Sequence, residues 1–227
     1  MLTLKHHFPS AATSTLFENH LPTAASDGCR WFGIGIKTLS LKNRVTVEAL
    51  RTLLANRHPI GNELLATYPE AAIEKPLPLL TEVMMTMPRK LSKLVATDER
   101  IFAAHCRASS AAMRDLELFA ATPVWDGRFP LCEVTFNVVA AAFDYSFIHL
   151  GTEILQSRYL LFNLTFHENE EEWRFLDTAE MVDVSWRVNE NYLSYLAAEL
   201  RGLGHEVTEK ILYAFESSDR SLIKRLS

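Results

Sequence analysis

A chain of 227 residues with 48% hydrophobic and 22% charged side chains has ordinary globular composition, enough for one large core or two small ones. A mean hydropathy of zero implies neither disorder nor a membrane protein. The formal charge of −5 counts against extensive phosphate contact, which wants Lys and Arg, but an acidic protein can still present a local basic face.

The most apolar stretch, residues 134–143, contains Asn137 and is bounded by Glu133 and Asp144. It is far short of the roughly 20 apolar residues of a membrane-spanning helix. Residues 1–16 lack the basic start and apolar run of a secretory signal. Cys29, Cys106 and Cys132 are few, odd in number and widely spaced. That pattern fits free thiols in a reducing compartment rather than a disulfide framework. The cytoplasm is the expected location.

Residues 1–28 hold few large apolar groups beyond Phe8, Leu16 and Phe17 and read as an extended arm. Residues 30–37, with Gly33 and Gly35, read as a strand with a bulge or close packing at the glycines. Thr46 can cap a helix whose apolar stripe is Val47, Leu50, Leu53 and Leu54. Pro59 and Gly61 break it, and a short helix is expected through Leu64 and Leu65. Beyond Pro69, Pro76 and Pro78, the residues Leu80, Val83, Met84 and Met87 share a helical face that Pro88 ends or kinks. The methionines there read as core filling, with a malleable binding surface as the other possibility.

Asp98 and Glu99 behind Thr97 open a further helix through Ile101, His105 and Met113 to Phe119. Residues 131–160 form a long apolar run that predicts a central buried helix, with Asp144 and Glu153 inside it. Residues 159–166 alternate enough for a strand, and the acidic run 168–172 reads as a solvated loop.

From 181 to 188 apolar and polar residues alternate. As a strand this places Val182, Val184, Trp186 and Val188 on one face and Asp183, Ser185 and Arg187 on the other. Asn189, Glu190 and Asn191 then make a natural helix entry, and Tyr192, Leu193, Leu196 and Leu200 give an apolar stripe. Gly204 can take the left-handed conformation of a helix stop, and Val207, Ile211, Leu212 and Phe215 would line a second helix.

Strand, helix, glycine turn and helix within about 35 residues resemble a ribbon-helix-helix unit of the Arc/MetJ type. The resemblance implies an obligate homodimer whose two strands pair and enter the major groove of double-stranded promoter or operator DNA. It implies base contact by Asp183, Ser185 and Arg187. It also implies a phosphate held at the second helix's N-terminus, where Glu206, Val207, Thr208 and Lys210 lie. Asp183, Glu206 and Glu209 depart from a phosphate-binding pattern by their charge.

A second resemblance, carried by Pro76-Leu77-Pro78-Leu79 and residues 94–101, is to a protein family of integrating conjugative elements. Its plasmid members include an activator of conjugative-transfer genes.

The expected architecture is therefore mainly α with a few short strands. It comprises an arm (1–28), a helical body (29–178) and a ribbon-helix-helix-like DNA-binding and dimerisation unit (179–227). The expected function is a dimeric transcriptional regulator, an activator of plasmid or mobile-element conjugation genes. The alternative is a non-enzymatic interaction or assembly factor that uses the unit only to dimerise.

No zinc-ligand spacing joins the eight histidines, and no nucleophile or phosphate-loop motif occurs. No catalytic residue, metal or small-molecule cofactor is expected. Asp144 and Glu153 are the carboxylates that an unrecognised hydrolytic site would use.

Overall fold

The computed structural model describes residues 1–8, 29–41, 44–67, 78–92, 98–125, 130–149 and 152–207. Its centre is an antiparallel sheet of five strands in the order β1-β3-β7-β6-β2. These strands are β1 (Leu2–His7), β2 (Cys29–Phe32), β3 (Leu80–Thr86), β6 (Ala140–His149) and β7 (Thr152–Phe162). Two hairpins flank it, β4 (Ala121–Trp125) with β5 (Pro130–Val134), and β8 (Thr165–His167) with β9 (Glu172–Arg174). The helices are α1 (Gly35–Thr38), α2 (Val47–Leu54), α3 (Arg89–Ser92), α4 (Arg100–Glu117) and α5 (Ala179–Gly202).

The expectation of a mainly helical body is thus overturned. The run 131–160 is not one helix: it supplies β5, β6 and most of β7, with β6 and β7 paired from Ala140↔Leu161 to His149↔Thr152. A continuous apolar run fits a buried helix and a buried strand equally well by periodicity. Residues 80–86, expected as helix, form β3 between β1 and β7. Residues 2–7, expected in a loose arm, form the edge strand β1. The first part of the expected strand 30–37 is β2, but from Gly35 the chain turns into α1. Gly33 has φ +102°, and a Cβ there would lie 2.1 Å from the carbonyl oxygen of Val138. Only glycine lets β2 pass that close to the chain entering β6.

Other local readings agree with the structure. Thr46 caps α2, its hydroxyl accepting from the backbone N–H of Ala49 at 3.1 Å. Gly204, just past α5, has φ +92°.

The largest correction concerns residues 181–188. They belong to the single 24-residue helix α5. Its buried positions, Met181, Val188, Asn189, Tyr192, Leu193, Leu196, Ala197 and Leu200, recur at helical spacing and seat the helix against α4 and the sheet. Val182 and Trp186 point outward, 40% and 65% exposed. No two-stranded ribbon can form from these residues. Of the apolar side chains that were to pair with a second chain, Val188 is buried within its own and no strand remains to pair, so the motive for an obligate homodimer disappears. The expected second helix begins beyond Val207 and lies outside the described residues, as do residues 9–28.

One core joins α4 and α5 to the sheet through Val83, Met85, Leu155, Tyr159, Leu161, Ala140 and Ala142. A second lies on the opposite sheet face, where Leu80, Leu160, Phe162 and Ala141 meet Leu50 and Leu53 of α2. Strand alternation sends successive residues into the two cores in turn. Among the described residues no helix is long and apolar enough to cross a membrane.

Candidate nucleic-acid interface

Among the described residues, the second face of the sheet is covered at one end, by α2 and the residues packed with it. Toward the other end the same strands present Glu82, Met84 and Thr86 on β3, Gln156 and Arg158 on β7, and Phe143, Tyr145 and Phe147 on β6. Cross-strand register places Arg158 between Met84 and Phe143, and Gln156 between Thr86 and Tyr145. Lys5, exposed on β1, stands opposite Glu82.

Glu82 organises this end. It is 4% exposed and meets a basic group on each oxygen: His7 Nε2 lies 3.0 Å from Oε2, and Arg158 Nε lies 2.5 Å from Oε1. The Arg158 contact is an ion pair without hydrogen-bond alignment. The terminal nitrogens of Arg158 hold no hydrogen bond to any described residue, and its side chain is 23% exposed. The guanidinium carbon lies 5.9 Å from the centre of the Tyr145 ring. The Tyr145 hydroxyl donates to Gln156 Oε1, and Gln156 Nε2 donates to Thr86 Oγ1 at 2.8 Å. Burial pushes the Tyr145 phenol pKa up, while Arg158 pulls it down. The Tyr145 and Phe147 rings are 6.0 Å apart, centre to centre, and Phe147 is 38% exposed. A partly exposed guanidinium beside one of two neighbouring aromatic rings on a sheet surface suits a nucleic-acid strand. The fork matches a phosphate and the rings offer stacking platforms for bases.

The helix-covered face carries a different polar group. Ser157 donates to Asp144 at 2.5 Å and lies 3.2 Å from His105 Nε2, and His105 Nδ1 lies 2.9 Å from the Tyr192 hydroxyl. Since Ser157 has one proton and gives it to Asp144, His105 must donate from Nε2 and accept at Nδ1. That is the neutral tautomer, and burial lowers the His105 pKa to about 3. The trio resembles a nucleophile-base-acid arrangement, but Ser157 and His105 have no exposed surface. It ties β6, β7, α4 and α5 together and admits no substrate. Asp144, watched as a possible catalytic carboxylate, is engaged here and by Arg30. Glu153 lies in β7 with its side chain outside the described set.

The residues expected to bind DNA are not assembled. Asp183, Ser185 and Arg187 lie on α5, where two residues turn the helix by about 200°, so Ser185 faces away from the others. The Arg187 guanidinium sits 5.0 Å over the Phe119 ring. Glu206 is exposed, whereas Val207 is buried in the core and its N–H is held by the His205 carbonyl at 3.0 Å, so it is closed to a phosphate. Thr208 and Lys210 lie outside the described residues. Sequence reasoning missed Glu82, Tyr145, Gln156 and Arg158. Their signal was the alternation of Phe143, Tyr145 and Phe147 with Asp144 and Ser146, hidden inside an apolar run.

Comparison with known proteins decides the family. The model of the TrwC relaxase family matches residues 17–227. The chain belongs to the TrwC relaxase family. This TrwC-family chain is 26% identical over 192 residues to the multifunctional conjugation protein TraI of Escherichia coli, and 28% identical over 155 residues to TraI of strain K12. The first match covers 80% of this chain and the second 67%. The chain spans only 11% and 8% of those two relatives.

Its fold matches the metal-bound conjugative relaxase TrwC in complex with oriT DNA, with TM-score 0.79 and 21% identity over 92% of this chain and 72% of that one. It also matches TrwC complexed with a 27-mer DNA comprising the recognition hairpin and cleavage site, with TM-score 0.75 and 22% identity over 92% and 71% of the two chains. These findings replace the transcriptional activator, the dimerising assembly factor and the non-enzymatic reading: relaxases are DNA-nicking enzymes of conjugation. The resemblance to ribbon-helix-helix proteins is likewise withdrawn, and with it the duplex promoter as partner.

One solved relative is described as metal-bound. The described residues of this TrwC-family chain do not fit such an ion. Among the described residues no three His, Cys, Asp or Glu side chains cluster. Among the described residues the pair His7–Glu82 is the imidazole-carboxylate contact on this face, and Arg158 already lies against that carboxylate. A divalent ion there would meet a fixed positive charge, at a cost of about 4 kcal/mol per unit charge at 4 Å and an effective dielectric of 20.

Proposed function

We propose that this chain binds and processes a DNA strand at a conjugative origin of transfer, with the open end of the sheet as its strand-binding surface. The observation that carries the reading is Arg158, partly exposed and with no hydrogen bond from its terminal nitrogens to a described residue, beside the Tyr145 ring that neighbours Phe147. It lies on a fold shared with relaxases solved in complex with oriT DNA. Base stacking on such rings is worth about 1–3 kcal/mol per base and needs the bases of a single strand. The setting would be the cytoplasm, which suits three free thiols.

Strand scission by transesterification needs a hydroxyl close to the phosphate that the guanidinium holds, and Tyr145 carries one beside Arg158. In-line attack by the phenolate oxygen would form a phosphotyrosyl bond, and the broken ester oxygen would leave as a hydroxyl. Fluorescence anisotropy with a labelled origin oligonucleotide tests binding, and a denaturing gel tests scission. Single-stranded or hairpin-containing DNA should bind more tightly than the matched duplex. Tyr145→Phe should abolish scission while binding stays within a few fold. Equal affinity for the duplex, or no binding at all, sinks the reading.

A further inference from the structure

We propose that Arg158 takes the place of a metal ion on this face: its guanidinium seats a phosphate of the bound strand, and the face takes no divalent metal. The inference rests on the strand-binding reading above and adds the chemistry of its central contact. Three observations carry it. Glu82 meets a basic group on each oxygen, His7 by a hydrogen bond and Arg158 by an ion pair, so its charge is balanced within the protein. The shortest contact of Arg158 with that carboxylate is through Nε, and its two terminal nitrogens make no hydrogen bond to a described residue. Glu82 and the neighbouring Tyr145 ring therefore fix the guanidinium in place and leave the hydrogen-bonding capacity of its terminal nitrogens to a ligand. Finally, Gln156 and Tyr145 bring an amide and a phenol, hydrogen-bonded to each other, rather than the imidazole or carboxylate that would complete a site with His7.

A guanidinium offers two parallel N–H donors to a phosphate and keeps its charge at any physiological pH. It thereby supplies the positive charge and fixed geometry that an ion would bring to a phosphodiester, without depending on metal supply.

The test uses the full chain and has two arms. Isothermal titration with Mn²⁺ and with Cu²⁺ should show no saturable one-to-one binding that Glu82→Gln abolishes. Oligonucleotide affinity should be the same in EDTA and in millimolar Mn²⁺. In the second arm, Arg158→Gln should weaken single-strand binding roughly tenfold or more and lower the salt slope of the association constant by about 0.7, the loss of one phosphate contact. Arg158→Lys, which keeps the ion pair's charge and guards against misfolding, should keep the slope and lose part of the affinity. A stoichiometric metal that Glu82→Gln removes and that tightens DNA binding would overturn the inference. So would a folded Arg158→Gln protein that binds DNA with parental affinity and slope. Failure of the parent chain to bind any oligonucleotide would instead sink the strand-binding reading, and the phosphate role with it.

Discussion

Glu117 is placed where a carboxylate is least expected, at the last residue of α4 and 5% exposed. The carbonyl end of a helix repels negative charge, and burial raises the Glu117 pKa. What offsets this is a pair of backbone donors: Oε1 accepts from Ile34 N–H at 2.7 Å and Val138 N–H at 3.0 Å. Glu117 thus staples α4 to the chain leaving β2 and the chain entering β6. Glu117→Gln keeps an acceptor oxygen and should cost under about 1 kcal/mol, whereas Glu117→Ala orphans two buried N–H groups and should cost about 2–4 kcal/mol in urea unfolding.

His105 gives a pH dependence of definite sign. Its folded pKa of about 3 lies below the ordinary imidazole value of 6.5, so the unfolded chain takes up the proton first. The contribution of neutral His105 is complete above about pH 6.5 and is lost as pH falls toward the folded pKa. Between pH 7 and pH 5 the chain should lose about 2 kcal/mol through this group. His105→Gln should flatten that part of the profile, and an unchanged slope would refute the assignment.

At the scale of elements, α5 is the sharpest case. As a strand it would put Val182 and Val188 on one face, where equal substitutions act alike. As a helix it leaves Val182 40% exposed and Val188 1% exposed. Val188→Asp buries a charge without a partner and should cost more than about 3 kcal/mol, while Val182→Asp on the surface should stay within about 0.5 kcal/mol. Chemical denaturation of the two variants separates the readings. Arg187→Ala should lose only about 0.5–1 kcal/mol of stacking on Phe119 and leave DNA affinity unchanged.

For the whole molecule the formal charge of −5 and a strand-binding face have to coexist. They can, because the cations at issue are local: Arg158 and the exposed Lys5 stand on one end of one sheet face. So few cations imply few phosphate contacts. With two to four of them, the logarithm of the association constant should fall with the logarithm of salt at a slope of roughly −1.5 to −3 for single-stranded DNA. A slope near zero, measured by anisotropy from about 50 to 200 mM salt, would show that the acidic surface keeps DNA away.

What residues 44–54 and 98–119 become was legible in the chain itself, because a capping hydroxyl at Thr46 and apolar residues at helical spacing act over a few residues. So was the stop at Gly204, since glycine adopts a positive φ without steric cost. The runs 80–87 and 131–160 were not legible in the same way. Apolar residues in a row satisfy either period, and their pairing partners lie tens of residues away. In 181–188 a period of two over eight residues hid a period of 3.6 over twenty, which appears only when Met181 and Val188 are joined to the stripe from Tyr192 to Leu200. The contact of Glu82 with His7 and Arg158 spans β1, β3 and β7. Nothing local foreshadows it, since the order of strands in the sheet, and not spacing along the chain, brings those charges together.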